Sequence, residues 1–129
     1  MKIEHIAIWA RDIEKLKTFY ETCFGATSST KYTNKNKGFS SYFLNFDSGA
    51  RLEIMQMPSV TGKNTDSNRH TMGLAHFAVS VGSVEAVDKL TATLAQEGVP
   101  VIDGPRKTGD GYYESVVLDP EKNRIEITV

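Results

Sequence analysis

The chain has few of the features that mark secreted, membrane or nucleic-acid-binding proteins. It contains a single cysteine, Cys23, so no internal disulfide can form. No apolar run approaches the roughly 20 residues that cross a bilayer, and the first residues lack the apolar stretch of a secretory signal. Positive and negative charges nearly cancel, which leaves a net charge of −1. These absences predict a cytoplasmic protein with neither a membrane nor a nucleic-acid partner.

The chain does contain an internal repeat. The stretch "IEHIAIWA" near the start aligns with "LAHFAVSV" in the second half, and this alignment places His5 on His76. The stretch "GFSSYFLNFDSGARLEI" aligns with "GYYESVVLDPEKNRIEI", and this alignment places Glu53 on Glu126. The same two residue types therefore recur at the same two places of a duplicated unit.

The repeat defines the predicted organisation of the 129 residues. We expect a single domain made of two modules, about residues 1–57 and 73–129. The segment 58–72 between them is polar, lacks an apolar period and is predicted to be a linker. The third histidine of the chain, His70, lies in this linker and is predicted to be a surface residue.

Each module has the same predicted order of elements. An apolar strand comes first, at 3–10 and at 74–81, and an amphipathic helix with an apolar stripe follows it. Further strands joined by turns at "DSGA" and "DPEKN" complete each module as β-α-β-β-β, so the predicted class is α+β. The predicted helix caps and stops are Asp12 and Gly25 in the first module, and Ser83 and Gly98 in the second.

Strand alternation predicts where the two glutamates point. In "RLEI" and "RIEI" the aliphatic residues share one face of the strand, and the arginine and glutamate share the other. The aliphatic face suits packing under a helix. The polar face is then expected to line a groove or solvent-filled cleft, which keeps Glu53 and Glu126 out of the apolar core.

Two histidines and two glutamates at matched positions suit a divalent transition metal, because imidazole nitrogen and carboxylate oxygen are its usual ligands. The set His5, Glu53, His76 and Glu126 would carry a charge of about −2, which a divalent ion neutralises. Taken singly, each residue has a plainer interpretation: a strand histidine is usually a satisfied polar group, and a strand glutamate usually faces solvent beside an arginine. The duplication of both residue types favours the metal site.

With these residues in place, the sequence resembles the vicinal oxygen chelate superfamily, which includes glyoxalase I, bleomycin-binding proteins, fosfomycin-resistance proteins and extradiol dioxygenases. The resemblance is carried by "IEHIAI", "FYETCFG", "GLAHFAVSV" and "DPEKNRIEI". It implies paired βαβββ modules that form a cupped mixed sheet around one metal ion. The ligand positions of bacterial glyoxalase I fall on His5, Glu53, His76 and Glu126. Zinc, nickel, cobalt and manganese are all compatible with such a set.

The resemblance also implies a chemistry. A metal-dependent lyase or isomerase of the lactoylglutathione lyase type would act on a small α-hydroxycarbonyl or hemithioacetal substrate. Glu126 is the implied base that moves a proton, and Glu53 is its symmetric counterpart. Two alternatives stay open: a non-catalytic protein of the same fold that binds a drug or metabolite, and a fosfomycin-type transferase that opens an epoxide.

The sequence departs from glyoxalase I where glutathione is held. The arginine and asparagine that bacterial enzymes often carry at these places are Trp9 and Met57 here. This departure leaves the use of glutathione open. Trp9, Met57, Tyr112 and Tyr113 are candidate pocket residues. The resemblance further implies a homodimer, in which one chain supplies all four metal ligands or each chain supplies two.

Overall fold

The computed structural model describes residues 1–62 and 72–129, which form two compact units that match the predicted modules. Most of the predicted linker 58–72, together with His70, lies outside the described residues. The α+β class and the two-module construction are confirmed. The single-domain organisation stays a prediction. No helix among the described residues has the length and apolar character needed to cross a bilayer.

The first module contains one helix and five strands. The strand that was predicted between helix and hairpin is interrupted, and both of its short pieces pair with the same neighbour. The elements are β1 His5–Trp9, α1 Ile13–Phe24, β2 Thr27–Ser28, β3 Tyr32–Asn34, β4 Phe39–Asn45 and β5 Arg51–Gln56.

The second module contains one helix and four strands. Its elements are β6 Phe77–Ser80, α2 Val84–Gln96, β7 Val101–Lys107, β8 Tyr113–Leu118 and β9 Arg124–Thr128. The strand β7 is continuous but irregular, since its register with β8 shifts near Asp103 and Arg106. At Gly104, between them, an added Cβ would lie 2.5 Å from the Glu114 carbonyl oxygen, so only glycine allows this approach. The same place in the first module is the break between β2 and β3.

Both sheets have the same strand order, in which the first strand lies beside the last. The order is β1-β5-β4-β2 in one module and β6-β9-β8-β7 in the other. The first and last strands are parallel in each module, and the remaining pairs are antiparallel. Ile6 pairs with Leu52, and Phe77 pairs with Ile125, which are equivalent positions of the repeat. The duplication seen in the sequence therefore extends to the hydrogen-bond register.

The helices begin where the capping residues predict. The Asp12 carboxylate accepts hydrogen bonds from the backbone of Glu14 and Lys15, and the Ser83 hydroxyl accepts one from Ala86. The helix α1 ends at Gly25, whose φ of 65° is the left-handed conformation typical of a helix stop. The predicted caps are thus present in both modules.

Each helix covers one face of its sheet and buries the aliphatic residues of the strands. The fully buried side chains include Leu16 and Tyr20 of α1, Val87 and Leu94 of α2, and the strand residues Leu44, Ile54, Val117, Ile125 and Ile127. Burial of one such side chain contributes about 1.5–3 kcal/mol to folding. The predicted strand alternation is confirmed within each module, because Leu52 and Ile54 are buried while the intervening Glu53 is half-buried on the opposite face.

Both opening strands are shorter than the sequence predicts. The strand β1 begins at His5 and β6 begins at Phe77, so Ile3 and Leu74 precede them and are largely exposed. The physical reason is pairing: the registers with β5 and β9 start only at His5 and Phe77. His76 therefore lies just before its strand.

Candidate metal centre

The first module brings His5 and Glu53 together on the sheet face that the helix does not cover. His5 on β1 pairs in register with Arg51 on β5, and Glu53 lies two residues after Arg51 on β5. The His5 Nε2 atom is 4.0 Å from the Glu53 carboxylate. The Phe43 ring contacts the His5 ring edge-on, with 5.4 Å between ring centroids. The two residues are 48 positions apart in the sequence, and the pairing of β1 with β5 brings them together.

A further carboxylate, Glu4, contacts the other nitrogen of the same imidazole. The His5 Nδ1 atom lies 2.5 Å from a Glu4 oxygen, and the Arg51 Nε atom donates to the other Glu4 oxygen at 2.7 Å. The hydrogen bond from His5 is the main cause that lowers the pKa of Glu4, and Arg51 lowers it further. Glu4 therefore stays ionised at neutral pH and acts only as an acceptor.

The second module repeats the histidine–glutamate pair. The His76 Nε2 atom is 3.2 Å from the Glu126 carboxylate. Both glutamates are mostly shielded from water, with side-chain exposures of 16% for Glu53 and 19% for Glu126, whereas the two histidines are more than 40% exposed. Each module therefore presents one accessible imidazole beside one sheltered carboxylate.

The second module also places Glu114, on β8, near this pair. The pKa of Glu114 is raised from its usual value of 4.5, first because burial removes water from its carboxylate and second because the Glu126 charge repels its own. Arg106, paired with Glu114 in the strand register, acts in the opposite direction. Negative charge thus accumulates around Glu126, which is the arrangement that a bound cation would stabilise.

The donor set fits a divalent transition metal. Each module offers one imidazole nitrogen and one carboxylate oxygen, which are ligand types shared by zinc, nickel, cobalt and manganese. Within either module, the described residues bring no third His, Cys, Asp or Glu into an arrangement that could hold an ion with the pair. Each module therefore supplies half of the four predicted ligands. Convergence of the two pairs on one ion stays a prediction.

Two of the predicted pocket residues lie farther along the chain segments that carry the first pair, each four residues beyond His5 or Glu53. Trp9 has the same strand parity as His5 and is 43% exposed, and it packs edge-on against Phe39 at 6.2 Å between centroids. Tyr32 packs on the same Phe39 ring at 6.0 Å. Met57 directly follows β5 and is half-buried. Trp9, Phe39 and Tyr32 thus form a group of aromatic rings in the same module as the His5–Glu53 pair.

The other two predicted pocket residues, Tyr112 and Tyr113, belong to the second module. The Tyr113 hydroxyl donates to Asp88 on α2 at 2.7 Å, so this side chain is on the helix-covered side of β8, opposite to Glu114. Tyr112 is exposed in the turn between β7 and β8, where its carbonyl accepts a hydrogen bond from Thr108. Tyr113 therefore has a hydrogen-bond partner on α2. We assign neither tyrosine a contact with a ligand.

Sequence reasoning missed Glu4 and Glu114. Glu114 could have been found from strand alternation in "YESVVL", since Glu114 and Val116 share a face that Ser115 and Val117 do not. Glu4 had no such signal, because the repeat places Ala75 at its position in the second module. A residue that only one copy needs is invisible to a comparison of the two copies.

Comparison with known proteins agrees with this fold. The sequence model of the Glyoxalase/Bleomycin resistance protein/Dioxygenase superfamily matches residues 2–127. The chain belongs to this superfamily. Members of the superfamily typically bind a divalent metal. The superfamily includes glyoxalase I enzymes as well as many non-enzymatic proteins. No curated protein matches the chain.

Solved structures of the glyoxalase superfamily share the fold at low identity. A structure described as a possible glyoxalase from Bacillus cereus is 26% identical, with a TM-score of 0.70 over 100% of this chain and 99% of the other. The trypanothione-dependent glyoxalase I of Leishmania major is 23% identical, with a TM-score of 0.77 over 99% of this chain and 86% of that one. A glyoxalase family protein from Enterococcus faecalis is 22% identical, with a TM-score of 0.79 over 99% and 97%.

Proposed function

We propose that the protein is a metal-dependent lyase or isomerase of the glyoxalase I type. The observation that carries the proposal is the matched pair in each module: His5 beside Glu53, and His76 beside Glu126, at equivalent places of two equivalent sheets. By the resemblance, the non-catalytic binding proteins of this fold typically lack the full set of four ligand residues. The complete set of four residues therefore favours an enzyme over a drug-binding relative.

The four side chains would hold one zinc, nickel, cobalt or manganese ion. Two neutral imidazoles and two carboxylates carry a charge of about −2, which matches a divalent cation. When bound, such an ion supplies Lewis acidity toward the substrate oxygens. The protein's own contribution is to hold His5, Glu53 and Glu126 on strands and His76 directly before β6, so that their positions are fixed before substrate arrives.

Glu126 is the proposed base. Its carboxylate would take a proton from the hydroxyl-bearing carbon next to the substrate carbonyl and return it to the carbonyl carbon. The hydroxyl proton would pass to the former carbonyl oxygen, so that the carbonyl and the hydroxyl exchange positions. Only 19% of its side chain is exposed, and shelter from water favours proton transfer to carbon over exchange with solvent. Glu53 is its counterpart and is proposed to stay in the ligand role.

The proposed substrate is a small α-hydroxycarbonyl compound or a hemithioacetal other than the ordinary glutathione adduct of methylglyoxal. Trp9 has no guanidinium with which to hold a carboxylate, and Met57 has no amide with which to pair. Trp9, Phe39 and Tyr32 instead provide aromatic surface in the module that carries His5 and Glu53. This surface favours an apolar group at the non-reacting end of the substrate.

The proposed biological setting follows from the same features. We propose a cytoplasmic homodimer that meets a small-molecule substrate and has no membrane or nucleic-acid partner. The single cysteine excludes an internal disulfide, and the near-zero net charge gives no attraction toward polyanions. Sedimentation at micromolar concentration tests the dimer, because a monomer there contradicts it.

The test is a substrate screen on protein whose metal content has been measured. Metal-loaded wild type is expected to convert at least one hemithioacetal or α-hydroxyketone. Glu126→Gln should lower its turnover by about 10²-fold or more, the range for loss of a general base. Glu85→Gln, a change in the first turn of α2, serves as a control and should keep full turnover. Metal content must be measured for each variant, since Glu126 is also a ligand.

Three results would contradict the proposal in separate ways. Unchanged turnover in metal-loaded Glu126→Gln would remove the mechanism. Efficient production of lactoylglutathione, with an ordinary KM, would remove the substrate argument alone. Tight ligand binding without turnover would favour the non-catalytic alternative.

A further inference from the structure

One imidazole of the proposed metal set is held by a carboxylate that is itself not a proposed ligand. The His5 Nδ1 atom lies 2.5 Å from Glu4, and an ionised carboxylate can only accept hydrogen bonds. Nδ1 must therefore carry the hydrogen when His5 is neutral. The lone pair of the ring is then on Nε2, which is the nitrogen that faces Glu53 at 4.0 Å.

Two further side chains hold this arrangement in place. Arg51 donates from Nε to the second Glu4 oxygen at 2.7 Å and pairs with the same oxygen through its terminal nitrogen. The Arg51 guanidinium lies 4.1 Å from the centroid of the Phe43 ring, and the Phe43 ring contacts His5 edge-on. Each of these four residues thus contacts the next, from His5 to Glu4, Arg51, Phe43 and back to His5. These contacts fix both the rotation and the tautomer of the His5 ring.

The second module lacks this device at the matching positions. Ala75 precedes His76 and carries no polar side chain, and the repeat places Val116 where the first module has Phe43. The ring of His76 is 3.2 Å from Glu126 through Nε2, the atom that would bind the metal. The two histidines, although matched by the repeat, are therefore oriented by different means.

We propose that Glu4 is a positioning residue that fixes His5 as the Nδ1–H tautomer and so presents the Nε2 lone pair to a divalent metal, with Arg51 and Phe43 holding Glu4 and the ring in place. The metal half of this statement rests on the proposed function. Carboxylates that contact the far nitrogen of a ligating histidine commonly raise metal affinity by about 10–100-fold. A tautomer fixed in advance also removes the cost of selecting it when the ion binds.

The first experiment uses metal-free protein, so that it does not depend on the proposed function. Nitrogen NMR of labelled histidine, recorded above the imidazole titration, distinguishes a protonated Nδ1 from a protonated Nε2. Wild-type His5 is expected to carry its hydrogen on Nδ1, and Glu4→Ala should move it largely to Nε2. Glu4 is 55% exposed, so this variant should fold normally. Glu14→Ala, which removes another glutamate of the same module, should leave the His5 signals unchanged.

The second experiment measures zinc affinity by competition with a chelator. Glu4→Ala should weaken zinc binding by about 10–100-fold, whereas Glu14→Ala should leave it unchanged. A wild-type His5 protonated on Nε2, or a tautomer that Glu4→Ala does not alter, overturns the proposal. A changed tautomer with undiminished zinc affinity overturns it as well. If wild type binds no divalent metal but the tautomer responds to Glu4, the proposed function fails while the effect of Glu4 on the ring stands.

Discussion

Glu53 and Glu126 show how a strand carries a charge without placing it in the core. Each lies between two buried aliphatic residues, yet strand alternation turns its side chain to the face opposite the helix. The residue opposite it on the neighbouring strand then lies next to the carboxylate. Glu53 lies beside Phe43, and Glu126 lies beside Val116. Both carboxylates are partly desolvated, which strengthens their attraction for a cation.

Glu114 supports a prediction about pH. Because its pKa is higher in the folded protein than the usual 4.5, its contribution to stability is present below that value and is lost as the pH rises through the folded pKa. Glu114→Gln should therefore unfold at higher urea concentration than metal-free wild type at about pH 8, with no gain at about pH 3. Urea unfolding at both pH values in the presence of a chelator measures the difference.

The neighbouring Glu126 provides the control for this prediction. Its charge is the second cause of the raised Glu114 pKa. In a Glu126→Gln background the gain from Glu114→Gln should become smaller, because one of the two causes has been removed. A gain that is the same at both pH values would contradict the electrostatic explanation.

At the scale of single residues, the sequence predicts what the repeat duplicates. His5 lies near Glu53, and His76 lies near Glu126. The four residues were predicted from their matched positions as one ligand set, and their convergence on one ion stays a prediction. Glu4 could not be predicted in this way, because its role depends on contacts with Arg51 across a strand pair. Such contacts are set by register, which the sequence of one strand does not contain.

At the scale of elements, a buried hydrogen bond links α2 to its sheet. The Thr91 hydroxyl donates to the Val87 carbonyl at 2.7 Å and lies 2.6 Å from the Ser115 hydroxyl. A hydroxyl has only one hydrogen, so Ser115 must be the donor to Thr91. Both residues are almost completely buried. The helix and β8 are therefore joined by a polar contact inside an apolar interface.

This direction of donation predicts unequal effects of two similar changes. Ser115→Ala should lower the free energy of unfolding by about 0.5–1.5 kcal/mol, since Thr91 keeps its bond to Val87. Thr91→Val should cost about 1–3 kcal/mol, because it leaves the buried Ser115 hydroxyl without its acceptor. Chemical denaturation of both variants checks the order.

The double variant Thr91→Val/Ser115→Ala is the matched control. It removes both hydroxyls and leaves no stranded donor, so it should be more stable than Thr91→Val alone. Equal costs for the two single variants would mean that Ser115 finds another acceptor.

Element order was more predictable than element boundaries. Capping chemistry at Asp12 and Ser83 located both helix starts, because a cap is a local interaction. The break between β2 and β3 was not predicted, since it depends on how this edge of the sheet pairs with β4. Thr91 was also missed as a core residue, because its hydroxyl is satisfied only after α2 packs on β8.

At the scale of the whole molecule, the proposed site can be composed in two ways. All four ligands come from one chain, or each chain of a dimer supplies two. We predict that mixing the inactive single variants His5→Ala and His76→Ala restores activity only if the sites are shared between chains, because one heterodimer site then regains all four ligands. Co-expression with two different tags isolates the heterodimer, and its activity relative to each parent gives the answer.

The controls for this experiment fix its interpretation. A dimer of two differently tagged His5→Ala chains should stay inactive. The metal content of each dimer should follow its activity. Restored activity without restored metal would contradict the shared-site composition.

Fold class and family could be predicted from the sequence because the duplication is visible in the order of residues. The composition of the site could not, since both arrangements use identical sequences.

The parallel pairing of β1 with β5 also has a consequence for the order of folding. Residues 10–50 separate these strands, so their pairing closes the longest loop of the module and carries the largest entropy cost. The hairpin of β4 and β5 involves a far shorter loop and is expected to form earlier. His5 reaches Glu53 only through that late step. The ability to capture an ion would then be acquired at the end of folding, so incompletely folded chains would be poor competitors for scarce metal.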